Sequence, residues 1–371
     1  MKSIAYVGLD VHPETSTICI LGEKSPLPIE LVRVDTDRSK VIAALRPYAA
    51  KYDLHCCYEA SSVGYVIHRW LKDVKIECAV IAPSLIPRRA GRRVKTDRID
   101  ALKLASLYRA GELTSVRVPT QEEESDRRLV RMRDQIRKDV TETKVHINQF
   151  LKELGLVYRD GTRWTQRHWA WLGQQSFTGS DKMVWDEYMA MLAYKMARLA
   201  EMDKAIAKLA STPKYAKDVR VLCCLRGVGI LTAMVLLTEV VDFSRFPSAA
   251  KLMAYFGVVP SESSSGGTQR QGAITKTGNT HCRRVLIEAA HKYTRKPCLS
   301  KELRGRQEGQ SAEVVAHCIL AQHRLHKKYW SIASRKAPQK ATVAVARELA
   351  GFIWAIMTGH CSPRESQAVA A

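Results

Sequence analysis

The sequence predicts an α/β plus all-α chain: a mixed-sheet N-terminal domain, a long helical or coiled-coil middle, and a mainly helical C-terminal domain. Three observations carry this. Residues 4–84 alternate short apolar runs with polar turns and helical stretches. From about residue 95 apolar residues recur every three or four positions instead. A second apolar helical block opens near 218 around Gly227-Val228-Gly229. At 371 residues the chain is long enough for two or three domains of about 150 residues each.

The elements follow in order. IAYVGL (4–9) reads as a buried strand ending at Asp10, and 16–21 and 30–35 continue it as an antiparallel meander. Val41, Leu45 and Tyr48 give a helix over 38–51. LHCCYEA (54–60) is a strand ending near Glu59, 63–73 a helix, and 76–84 a strand closed by proline. That order is what the ribonuclease H-like fold requires. DRIDALKLASLYRAG begins the next helix, which closes on Gly111, and a proline-containing break at 117–120 follows. In the long helix beyond it, Leu129, Met132, Ile136, Val140, Thr143, Ile147, Phe150 and Leu154 form a stripe. It suits a coiled coil or an amphipathic helix packed within its own chain. A Trp-rich stretch (164–185) and a helix over 181–211 lead to the second block. The expected domains are 1–117, 118–217 and 218–360, with 361–371 a flexible tail.

The charge narrows the function. Fifty-nine Lys and Arg against 37 Asp and Glu leave +22, and residues 261–371 carry eighteen Lys/Arg, seven Glu and no Asp. An excess spread so widely points to a polyanion, above all nucleic acid. No run reaches the about 18 apolar residues of a membrane span. The N-terminus lacks a signal-peptide pattern. The ten cysteines form no C-x-x-C and read as reduced, buried residues of a cytoplasmic protein.

Four acids stand where chemistry needs them. Asp10 (GLDVH) and Glu59 (CYEAS) end strands; Asp97 and Asp100 (KTDRID) lie three apart on one side of a starting helix. Carboxylates so placed can hold two Mg²⁺ ions about 4 Å apart on a phosphodiester. No His/Cys cluster competes with them in this reading. Strand-end and helix-start acids also serve as ordinary caps. Arg88, Arg89, Arg92, Arg93, Lys95 and Arg98 lie beside them, as a phosphate-binding run or a solvated loop. Gly227 and Gly229 sit between two helical segments, as a helix-hairpin-helix that admits a phosphate or as a plain turn. Ser263, Ser264 and Ser265 run into Gly266-Gly267, followed by Arg270, Lys276, Arg283 and Arg284. This is a nucleophile among cations or a flexible loop.

GLDVH, YEAS and KTDRIDA, then LRGVGILTA, then GVVPSESSSGG with ITKTGN and CRR, resemble the insertion-sequence one-hundred-ten family of bacterial DEDD transposases. The resemblance spans about 4–111 and 218–300. It implies a RuvC-like domain whose catalytic, metal-binding acids are Asp10, Glu59, Asp97 and Asp100, with Ser265 as nucleophile. Its neighbours Ser263 and Ser264 are the alternatives for that role. It implies strand cutting and rejoining with Mg²⁺ on donor and target double-stranded DNA, guided by a structured bridge RNA, in a homodimer or tetramer. A metal-only RuvC-type junction nuclease and a non-catalytic nucleic-acid-binding protein are the alternatives.

Overall fold

β-branched and aromatic runs form five strands: Ser3–Val11 (β1), Thr15–Gly22 (β2), Pro28–Asp35 (β3), Tyr52–Glu59 (β4) and Glu77–Ile81 (β5). The computed structural model describes residues 2–87, 96–265 and 268–361. Arg88, Arg89, Arg92, Arg93, Lys95, Gly266, Gly267 and the tail from 362 lie outside the described residues. The chain divides into two units, Met1–Pro119 and Thr120–Ala371.

In the first unit the sheet order is β3-β2-β1-β4-β5. β1, β2 and β3 make the expected antiparallel meander, while β1, β4 and β5 run parallel. The parallel pairs require crossovers, and Arg38–Lys51 (α1) and Val66–Asp73 (α2) supply them. Asp37 caps α1 by accepting from the Ser39 and Lys40 amides. Val41, Leu45, Ile67 and Leu71 of these helices cover one face of the sheet, against Val7, Leu9, Ile18, Leu54 and Tyr58.

Asp97–Arg109 (α3) covers the opposite face, where Ala101 and Ala105 meet Cys19 and Leu21, and Leu104 meets Cys57 and Ile81. A Cβ on Gly8 would lie 2.2 Å from the Ala101 carbonyl oxygen and 2.4 Å from the Ala105 nitrogen. Only glycine lets the helix lie this close to β1. After α3 the chain returns along the edge, pairing Ser115 with Ile81; the sequence reading did not anticipate this bridge. The strand expected over 76–84 stops at Ile81, and Pro83, which has no N–H for a ladder, opens a 3-10 turn to Leu85.

The second unit begins with Gln121–Glu153 (α4), held at its start by a reciprocal Thr120/Glu123 capping box. Gln166–Gly173 (α5) leads to Gly179–Ala210 (α6), which returns antiparallel along α4. Phe150 meets Trp185, Lys195 Nζ donates to Thr143 Oγ1 at 2.9 Å, and Arg133 pairs with Asp203 at 2.7 Å. The predicted stripe holds at Ile136, Val140, Thr143 and Ile147, but Met132 and Leu154 are exposed. Val130 and Asp134 are buried instead, because the early turns of α4 also pack on Ile230–Val240 (α8). The Trp-rich stretch has a packing role: Trp164, Trp169, Trp171, Phe177 and Trp185 fill a small core with Phe150 and Leu172.

Ala216–Cys223 (α7), α8, Ala249–Tyr255 (α9), Thr280–Ala290 (α10), Lys301–Gln307 (α11), Ala312–Ala333 (α12) and Pro338–Met357 (α13) complete the unit. Its main core joins α7, α8, α10, α12 and α13. A two-stranded hairpin, Pro260–Ser265 (β6) and Thr268–Ile274 (β7), is inserted between α9 and α10. Nine cysteines are buried, Cys298 is exposed, and all ten are unpaired. Among the described residues no helix is long and apolar enough to cross a membrane.

One buried acid ties these helices together. Glu239 of α8, 3% exposed, accepts from Arg131 Nε at 2.6 Å, Arg131 Nη2 at 2.8 Å and Asn279 Nδ2 at 2.7 Å. Burial alone would raise its carboxyl, but the Arg131 hydrogen bonds and charge outweigh that and hold it below the ordinary range. A lowered carboxyl stabilises above its unfolded value, about 4.3, and that contribution is lost as pH falls through the lower folded value. Glu239→Leu, which leaves Asn279 facing an apolar group and frees the exposed Arg131, is expected to cost about 1–3 kcal/mol in denaturant unfolding. Gly8→Val is expected to cost about 1–3 kcal/mol by forcing α3 off the sheet, measured the same way.

Candidate metal centre and serine hairpin

Strand register brings the first two acids together. β1 and β4 run parallel with Leu9 beside Tyr58, so Asp10 and Glu59 follow side by side at the carboxyl ends of their strands. Leu9 and Tyr58 point into the core under α1 and α2. Side chains alternate along a strand, which turns Asp10 and Glu59 to the α3 face.

α3 delivers the other two. Its N-cap is Thr96, whose side chain accepts from the Ile99 amide, so neither Asp97 nor Asp100 is spent as the cap. Both stand in the first turn, at the positive end of the helix dipole. His12 Nε2 lies 3.4 Å from Asp10 Oδ2 and 3.7 Å from Asp97 Oδ1. One ligand atom from each of Asp10, His12 and Asp97 falls within 4.8 Å of the others. Glu59, which is exposed, and Asp100 stand outside that set. Burial pushes the Asp10 carboxyl up, and the charges of Asp100 and Asp97 push the same way against His12. A half-buried carboxylate crowded by like charges is an environment that a cation relieves.

His12 is the residue the sequence reading passed over. Its signal lay in GLDVH: a histidine two places after a strand-end acid shares that acid's face. Arg98 is exposed on the first turn of α3, and the other five cations of its run lie outside the described residues.

In the second unit Ser265 is the last residue of β6 and pairs with Thr268 across the hairpin; Ser264 pairs with Gln269 and Ser263 with Arg270. The serine run is therefore an ordered strand in its backbone; its side chains and that of Arg270 lie outside the described residues. The hairpin base closes through Thr275 N–H to Val259 O at 2.9 Å and Lys276 N–H to Gly257 O at 3.2 Å. Lys276 is exposed, in the left-handed backbone region. Arg283 donates to the Phe256 carbonyl at 2.9 Å, and Arg284 reaches Asp134 at 3.0 Å and Glu288 at 2.8 Å. These two arginines brace α10 within the unit. His281 Nδ1 lies 3.5 Å from Asp134.

The two glycines of the earlier motif differ. Gly227 has a positive φ and lies where a Cβ would sit 2.6 Å from the Ala289 carbonyl, so helix packing needs it. Gly229 caps α8, and no heavy atom beyond its chain neighbours lies within 4 Å of its Cβ position. Its surroundings leave room for a group at the helix N-terminus.

A family model described as "Transposase", of the DEDD type, matches residues 7–155, and one described as "Transposase IS116/IS110/IS902 family" matches 219–304. A putative transposase of Sinorhizobium fredii is 36% identical over 95% of this chain and 88% of its own length. The transposase for insertion sequence element IS1533 of Leptospira borgpetersenii is 31% identical over 91% of this chain and 99% of its own. That for IS1111A of Coxiella burnetii is 24% identical over 96% and 91%.

Asp10 carries a testable cost. With its carboxyl raised on folding, the ionised form destabilises the metal-free chain, and this relaxes as pH falls because the folded state takes up the proton first. Asp10→Asn is therefore expected to raise the melting temperature in EDTA at pH 7 by about 1–4 °C. The gain should shrink toward pH 5 in melts followed by circular dichroism. A lower melting temperature at pH 7 would contradict the assignment.

Proposed function

The chain belongs to the IS116/IS110/IS902 family of transposases, and on that premise we propose a mobile-element recombinase that cuts and rejoins DNA strands through a divalent metal and a serine. The observation that carries the reading is the convergence of Asp10 and Asp97 beside Asp100 on one sheet face. Strand order β3-β2-β1-β4-β5, with its antiparallel meander and parallel half, supports a ribonuclease H-like, RuvC-like first unit.

Asp10, Glu59, Asp97 and Asp100 are the residues that would hold the ion, with Mg²⁺ the ion expected from oxygen donors. Bound there, it supplies Lewis-acid polarisation of a phosphodiester. The chain's own part is then nucleophilic. Ser265 Oγ attacks phosphorus, the bridging oxygen of one strand leaves, and the phosphoserine ester conserves the bond until a strand hydroxyl displaces the serine. Lys276 and Arg270 are the motif cations left to offset charge, since Arg283 and Arg284 have partners within the unit.

The net charge of +22 supports donor and target DNA, together with a structured guide RNA, as partners. Guided pairing would leave the protein to read backbone and shape, with Gly229 and the cations between 88 and 98 as contacts.

Labelled DNA on denaturing gels tests the proposal. Wild-type protein should form a covalent adduct that disappears in Ser265→Ala and persists in Ser263→Ala and Ser264→Ala. Asp10→Asn should lower strand cleavage by about 10²-fold or more while DNA binding survives. Cleavage with free ends only, undiminished in Ser265→Ala, would return the function to a metal-only nuclease.

A further inference from the structure

His12 is not one of the four acids, yet it is the third member of the only group of ligand atoms that converges among the described residues. Its backbone is fixed on both sides: its N–H donates to the Thr15 carbonyl at 3.0 Å, and its carbonyl accepts from Thr36 Oγ1 at 2.7 Å. Thr36 Oγ1 is in turn 2.8 Å from Ser16 Oγ. The imidazole therefore projects from an anchored turn, on the Asp10 face of β1, with its side chain 54% exposed. Ligands about 2.0–2.2 Å from a shared ion stand about 3–4.4 Å from one another. The 3.4 and 3.7 Å separations to Asp10 and Asp97 fall in that span.

We infer that His12 is a ligand of this centre, which makes it a mixed nitrogen–oxygen site that prefers Mn²⁺ to Mg²⁺. The inference rests on the metal reading above and sharpens it. Mg²⁺ is a hard ion that favours oxygen donors and keeps its waters, whereas the affinity of a site containing nitrogen rises along the first-row series. An all-carboxylate site also favours Mn²⁺, but by less, because no nitrogen donor adds to the difference. His12 thus revises the expectation of Mg²⁺ at the Asp10 end of the cluster.

The test is metal binding by the full chain in chelator-stripped buffer, followed by isothermal titration with Mn²⁺ and with Mg²⁺. Wild-type protein should bind Mn²⁺ at least about tenfold more tightly than Mg²⁺. His12→Ala should weaken Mn²⁺ about tenfold or more and Mg²⁺ by less than about threefold, collapsing the preference. His12→Asp, an all-oxygen replacement, should keep Mg²⁺ binding and narrow the preference. Circular dichroism in EDTA checks that both variants fold. A Mn²⁺ affinity unchanged or raised in His12→Ala would make the imidazole a counter-charge and overturn the inference. If Asp10→Asn still abolishes binding of both ions in that case, the metal reading stands without His12. Wild-type protein that binds neither ion at millimolar concentration overturns both.

Discussion

The first unit depends on one close approach, that of α3 to β1 at Gly8. The helix backbone occupies the space a side chain would need, so the distance between helix and sheet is set by main-chain contact. Ala101 and Ala105 keep the helix side equally slim. The first turn of α3 is thereby held over the carboxyl end of β1, two residues beyond the glycine. Asp97 and Asp100 sit at the positive end of their helix, where its dipole supports negative charge. Asp10, at a strand end, has no such support and is the more enclosed of the carboxylates that ring the imidazole, with a side chain 19% exposed against 41% for Asp97. The burial that seats the helix is also what pushes the Asp10 carboxyl up.

Much of this was legible in the sequence. The end of β4 at Glu59 follows from an apolar run that stops at an acid, β1 runs past Asp10 to Val11, and parallel pairing of β1 with β4 makes the two acids adjacent. α1 keeps the bounds its spacing predicts, because Asp37 fixes its start and Val41 and Leu45 its buried face. Other features were hidden because they depend on partners distant in sequence. The α4 stripe drifts from Met132 to Val130 and Asp134 because α8 shares the helix with α6. The serine run could be loop or strand until cross-strand pairing set Ser265 against Thr268. His12 was missed although visible: a search for oxygen donors passes over an imidazole that strand alternation places among them.

Charge in the second unit divides in a way composition conceals. Buried acids consume part of the basic excess: Glu239 takes Arg131, and Asp134 takes Arg137 and Arg284. Asp203 takes Arg133. Such pairs offset desolvation without adding much net stability, and they fix which helix faces which. Arg284, a phosphate-binding candidate by sequence, becomes a strut between α4 and α10. The net charge is unchanged by internal pairing, so the remaining field belongs to exposed Lys and Arg, and that field acts on a polyanion at long range.

That division bears on how an anionic centre can serve an anionic substrate. Four carboxylates on one sheet face repel a phosphodiester unless positive charge is supplied both at the centre and around it. A divalent ion supplies the first, and exposed cations supply the second by raising the local concentration of nucleic acid. Arg98 illustrates the separation. It follows Asp97 directly, but one residue along a helix is a turn of about 100°, so the two side chains leave in different directions. As a ligand, His12 adds a donor without adding a negative charge to the acids, and it leaves that charge to be balanced by the metal.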